Sequence, residues 1–193
     1  MIQRSYTMLR ISIPTVEKSP EASKPLLDAV YKQLGVIPNL MKLIGNSPAA
    51  LEGYLSLNGA LAKGKLDVSV RERIALAMAE FNGCSYCLSA HTYLGKNVAK
   101  LSDTDMDTAR SGHAADPKTH AALKFALRVA SEHGRVNDAD VQMLRSAGFD
   151  DASIVEIVLN VALNVLTNYI NNVAQTTVDF PQVNAKAECL ALA

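Results

Sequence analysis

Three proline-led signals punctuate the chain: Ser19-Pro20, Ser47-Pro48 and Asp116-Pro117 each place a capping side chain before a proline, the pairing that opens helices. Ser69, Ser102, Asn137 and Ser153 are further cap candidates, and Gly35, Gly64, Gly112, Gly134 and Gly148 supply stops. This punctuation predicts helices over 20–34, 48–63, 70–82, 84–100, 103–111, 117–133, 138–147 and 154–177, with a short one around 39–45.

Composition agrees with an all-α fold. Among the 193 residues, 49% are hydrophobic but only 5% aromatic, with no Trp and abundant Ala and Leu, which suits tightly packed helices better than strands. The chain reads as one compact helical domain over 1–193. It divides into an N-terminal arm (1–19), a first half (20–112), a second half (113–177) and a C-terminal tail (178–193). The two ends read as extended arms, of the kind that can wrap a neighbour in an oligomer.

Lys and Arg balance Asp and Glu at 19 each, so no global field recruits nucleic acid or an acidic membrane surface. The N-terminus has no apolar run ending in a cleavage site, and the greasiest stretch, Ile154 to Leu166, is broken by Glu156, Asn160 and Asn164. A soluble, cytoplasmic protein with no membrane partner is expected. Of three cysteines, Cys189 lies alone in the tail and reads as an inert free thiol.

The other two carry the chemistry. Cys84-Ser85-Tyr86-Cys87, with His91 four positions on, opens a helix after the Asn82-Gly83 break. On a helix these spacings bring both thiols and the imidazole to one face. The free N–H groups and positive dipole of a helix start favour a thiolate there. Cβ atoms three apart on a helix lie about 5–6 Å apart, and a disulfide needs about 3.5–4.5 Å, so a small adjustment of the first turn permits a reversible Cys84–Cys87 bond.

The partners have competing readings. Glu72 completes Ser69-x-x-Glu72, a capping box, yet it also precedes the thiols by one helix and can serve as a base. His91 can accept a thiol proton, or it can be a half-buried histidine satisfied by a carbonyl. Tyr86, Tyr93 and Tyr169 read as wall or interface, and His113, His120 and His133 as surface or packing residues. A zinc site would need a second ligand pair that the sequence lacks, so no metal is expected, and no strand precedes residue 84 as a thioredoxin-like unit would require.

An internal echo appears at a shift of 84 residues. Gly64, Asp67, Ser69 and Glu72 fall on Gly148, Asp151, Ser153 and Glu156, while Cys84 and Cys87 fall on Asn168 and Asn171, and His91 on Gln175. The second half reads as a structural sibling without the chemistry, unless both segments simply share one turn-and-cap signature.

Glu72, eleven residues, then Cys84-x-x-Cys87-x-x-x-His91, set in RERIALAMAEFNGCSYCLSAH, resembles the signature of alkylhydroperoxidase D-like proteins in the carboxymuconolactone decarboxylase superfamily, peroxidase-related subgroup. The resemblance implies an all-helical trimer or hexamer without haem or flavin, and with no other cofactor. It implies Cys87 as the peroxidatic cysteine, Cys84 as the resolving one that meets a dithiol reductant, and His91 with Glu72 as proton relay. Where the best-studied type has a His before the second cysteine, this chain has Tyr86, so the relay is shorter or uses the phenol. The expected activity is thiol-dependent reduction of hydroperoxides. The alternatives are a carboxymuconolactone decarboxylase-type lyase and a non-enzymatic redox-sensing oligomer.

Overall fold

The computed structural model describes residues 10–186, and among them are nine α-helices and no strand. They are α1 (Lys24–Leu34), α2 (Asn39–Ile44), α3 (Pro48–Leu61), α4 (Val68–Phe81), α5 (Ser85–Asn97), α6 (Asp103–Arg110), α7 (Pro117–Ser131), α8 (Asp138–Ser146) and α9 (Asp151–Ala174). Two 3₁₀ turns, Val16–Lys18 and Glu21–Ser23, lead into α1. The fold is all-α.

Local chemistry sets most boundaries. Ser47 and Asp116 cap α3 and α7 before their prolines, and Ser102 and Asn137 form full capping boxes with Asp105 and Asp140. Two expected caps move. Asp67 rather than Ser69 caps α4, and Asp150 rather than Ser153 caps α9, each carboxylate accepting the N–H of that serine. A carboxylate is as good an acceptor as a hydroxyl, and α4 and α9 start two and three residues before the expected positions. Ser19-Pro20 opens only the 3₁₀ turns, and α1 begins four residues later than expected from that signal.

Helix α4 is the axle. Ile74 to Glu80 are seven consecutive buried residues, so this helix is covered all round, packed by α5, α6, α7 and α9. The buried Glu80 is paired: its Oε2 accepts from Arg110 Nε at 2.7 Å and its Oε1 from the Lys186 N–H at 2.7 Å.

The described part of the tail departs from the expectation of a free arm. It folds back along α5 of its own chain: Ser89 exchanges hydrogen bonds with Val183, Ser85 Oγ accepts from the Ala185 N–H, and Phe180 stacks edge-on against Tyr86. In the N-terminal arm, the Arg10 N–H donates to the Ala174 carbonyl and Asn46 holds the Ser12 carbonyl. Cys189 lies outside the described residues.

Helix α9 is long and apolar enough to cross a membrane by length and composition. Its inward row of Asn160, Asn164, Thr167, Asn168 and Asn171 is buried, and α9 packs on α3, α4, α5 and α7, as the core helix of a soluble fold does.

Candidate functional site

The break between α4 and α5 builds the site. Gly83 takes a left-handed φ of 63°, which lets the chain reverse so that Cys84 caps α5 while its own N–H returns to the Ala79 carbonyl. The Cys87 N–H donates to Cys84 Sγ at 3.3 Å, so both cysteines meet in one turn, as free thiols. One turn further along α5, His91 Nδ1 lies 2.9 Å from Oε2 of Glu72 on α4. The structure therefore brings Cys84, Cys87, His91 and Glu72 to the α4–α5 seam.

Glu72 is not a capping residue. With Asp67 as the cap, its carboxylate turns to the imidazole, while Glu156, its counterpart under the 84-residue shift, holds the α3–α4 connection, accepting from the Lys65 N–H (2.8 and 3.0 Å) and the Leu66 N–H (3.1 Å). Gly64 makes room for Glu156: a Cβ there would stand 2.5 Å from its Oε2.

Because a carboxylate only accepts, the contact puts the His91 proton on Nδ1 and leaves Nε2 with its lone pair. Burial alone pulls the His91 pKa down, but the charge and hydrogen bond of Glu72 and the charge on Cys87 outweigh it and raise the pKa. The thiols are driven apart. Burial pushes Cys87 up, but the Cys84 hydrogen bond, the His91 charge and the amides of Asn171 and Asn168 reverse this, bringing Cys87 down to about 7. Cys84 is driven upward, first by its hydrogen bond to Cys87, then by burial and by the charge on Cys87. Cys87 is the more readily ionised of the two thiols; Cys84 holds its proton.

Both sulfurs are closed off, at 0% exposure for Cys84 and 2% for Cys87. The side chains of His91 and Glu72 keep 23% and 16% exposure, so the relay side is the nearest approach from solvent. Tyr54 of α3, half-buried, was not singled out by the sequence. Its pKa is pushed up to about 12 by burial and then by the charges of Cys87 and Glu72.

Tyr86 lies elsewhere. Its hydroxyl accepts from the Leu40 N–H at 3.0 Å and donates to Asp179 Oδ1 at 2.8 Å, so it ties α2 to the tail. Burial first, and then the bond to Asp179, hold its proton on far above the usual phenol range, although the Leu40 N–H opposes them. Among the described residues, no three His, Cys, Asp or Glu side chains converge as a metal site.

The model of the carboxymuconolactone decarboxylase family matches residues 48–132, which span Glu72 and the whole thiol motif. That match and the solved structures below support an alkylhydroperoxidase D-like protein of the carboxymuconolactone decarboxylase superfamily. Among solved members of this fold, an alkylhydroperoxidase core, a peroxidase-related protein from Ralstonia eutropha, is 25% identical, with a TM-score of 0.79 over 91% of this chain and 94% of that one. A peroxidase-related protein from a Silicibacter species is 20% identical, with a TM-score of 0.78 over 92% and 95%. A cysteine-to-alanine variant of the debrominase Bmp8, in complex with 2,3,4-tribromopyrrole, is 18% identical, with a TM-score of 0.69 over 87% and 94%. By sequence, no curated protein matches the chain.

Proposed function

We propose that the protein is a thiol-dependent peroxidase that reduces hydroperoxides through a Cys84–Cys87 dithiol–disulfide cycle. The observation that carries this reading is the Glu72–His91 pair behind a thiol brought down to about 7. His91 Nε2 takes the Cys87 proton, and Glu72 holds the resulting imidazolium. The thiolate attacks the terminal peroxide oxygen, the O–O bond breaks, and the departing alkoxide takes the proton back from His91, leaving an alcohol and a Cys87 sulfenic acid. The Cys84 thiol then displaces the sulfenic oxygen as water and closes the disulfide. A dithiol reductant reopens it by exchange, itself becoming a disulfide. Since both sulfurs are closed off, the exchange requires the first turn of α5 to move.

Titration of the reduced protein with cumene hydroperoxide, followed by mass spectrometry, tests the cycle. One peroxide should consume two thiols and leave the Cys84–Cys87 disulfide, and Cys87→Ser should consume none catalytically. Equal turnover in that variant refutes the assignment. If a Cys84/Cys87 double variant releases carbon dioxide from a carboxymuconolactone, the activity is the lyase instead.

The similarity to the debrominase supports a second reading, in which the same dithiol reduces a carbon–bromine bond to carbon–hydrogen and releases bromide. Bromide release from 2,3,4-tribromopyrrole, lost in Cys87→Ser and exceeding turnover of cumene hydroperoxide, selects it.

The outward face of α9 supports assembly of several copies. Val155, Leu159, Leu166, Tyr169 and Val173 are exposed along one stripe that carries no charge. Sedimentation of the reduced and oxidised protein reads the oligomer and any redox dependence of it.

A further inference from the structure

Under the 84-residue shift two asparagines of α9 fall on the two cysteines, and one of them touches the working thiol. Asn171, the counterpart of Cys87 under the 84-residue shift, has its Nδ2 at 3.1 Å from Cys87 Sγ. The two equivalent positions therefore touch. The same Nδ2 donates to the Thr167 carbonyl at 3.0 Å, and since a carbonyl cannot donate, this fixes which end of the amide faces the sulfur. Asn168, the counterpart of Cys84, is fully buried, and its Oδ1 accepts from Asn82 Nδ2 at 2.8 Å. That bond turns the Asn168 Nδ2 donor the other way, where it is buried and has no partner.

A buried amide donor without an acceptor needs a reason, since buried polar groups are otherwise almost always paired. The acceptor is supplied by the reaction. We propose that Asn168 and Asn171 form an amide cradle for the anionic states of the Cys87 sulfur: its thiolate and the oxygen of its sulfenate. The proposal rests on Cys87 being the nucleophile of the cycle above. In the neutral dithiol one donor is idle. Once Cys87 loses its proton, both Nδ2 groups face negative charge in a site closed to water, where fixed donors count for more than in solution. The aligned positions thus hold complementary groups: a sulfur pair at the start of α5 and a donor pair on α9.

The test is the ionisation of Cys87, followed by the ultraviolet absorbance of the thiolate against pH in full-length protein carrying Cys189→Ser. The wild-type midpoint is expected at about 7. Asn171→Leu and Asn168→Leu should each raise it by about one unit, the shift expected from losing a hydrogen bond to a charged group. Asn171→Asp conserves the size but sets a carboxylate against the sulfur, and it should raise the midpoint further. If a leucine variant does not fold by circular dichroism, Asn171→Asp decides. His91→Gln is the reference for the reading beneath: it removes the opposing charge and should also raise the midpoint. If His91→Gln shifts the titration and the asparagine variants do not, the cradle is overturned while the nucleophile stands. If none of the variants shifts it, both fail.

Discussion

Glu72 and His91, nineteen positions apart in sequence and on different helices, meet at 2.9 Å between Oε2 and Nδ1. The contact assigns the imidazole its tautomer, leaving the lone pair on Nε2, one helical turn after Cys87. It also settles the double reading of Glu72, whose carboxylate serves the histidine and not the helix end.

Glu72→Gln keeps the shape and removes the charge. Peroxide consumption should fall by about tenfold to a hundredfold, the low end of general acid–base effects, because the imidazole remains but is no longer oriented or charge-stabilised. The His91 pKa should drop. In the wild type it is raised in the folded protein, so the ion pair contributes stability that is fully present below the ordinary histidine value of 6.5 and is lost as pH rises through the raised value. Thermal melts across that window should show this pH dependence in the wild type and a flatter profile in Glu72→Gln.

Cys84→Ser should stop the cycle after its first half. With no thiol to condense, Cys87 stays as the sulfenic acid, consuming one peroxide per chain and then none. A sulfenic-acid trap such as dimedone, located by mass spectrometry, should label Cys87 in this variant. Labelling confined to Cys189 would exchange the roles assigned here.

Tyr86→Phe separates packing from catalysis. The Leu40 N–H loses its acceptor and Asp179 its donor, so the protein should lose about 1–3 kcal/mol in denaturant unfolding. Peroxide turnover measured at a temperature where the variant is folded should stay within about twofold of wild type, since a catalytic proton donor would contribute about a hundredfold. A loss of that size would put the phenol back in the relay.

Arg110→Met tests the buried pair at the far end of α4. Glu80 would keep the Lys186 N–H but lose its counter-charge. Removing one partner of a buried pair typically costs about 3–5 kcal/mol. The urea midpoint should fall accordingly. The tail should also loosen, because Arg110 Nη2 holds the Asn184 carbonyl, and limited proteolysis near residue 184 reads that directly.

What could be read in the sequence is what local chemistry decides. Ser47, Ser102, Asp116 and Asn137 are caps because a cap bonds within its own turn, and Gly83 is legible because few other residues take its φ. Ser69 and Ser153 misled because Asp67 and Asp150, two and three positions earlier, accept the N–H groups of those serines and start each helix before them. The thiols and His91 share one helix, so their grouping follows from spacing. Glu72 stayed ambiguous because one carboxylate at that offset fits a cap and a relay equally; only the approach of α5 decides. Tyr54, Asn168 and Asn171 arrive from α3 and α9, and no spacing rule within the motif announces them. The 84-residue shift names the two asparagines but reads them as lacking the chemistry, because it says nothing of how closely α9 approaches Cys87. The tail has no helical period, and its course is set by Phe180 and Val183 finding α5.

The sleeve of helices around α4 has a thermodynamic consequence for the whole molecule. Glu72 sits two residues before the seven-residue buried run, so its position is inherited from the best-protected stretch of the chain. No soft hinge intervenes between scaffold and carboxylate. Heat that dislodges this carboxylate must first open the interior, so loss of turnover and loss of tertiary order should trace one sigmoid, with no folded but silent intermediate between them.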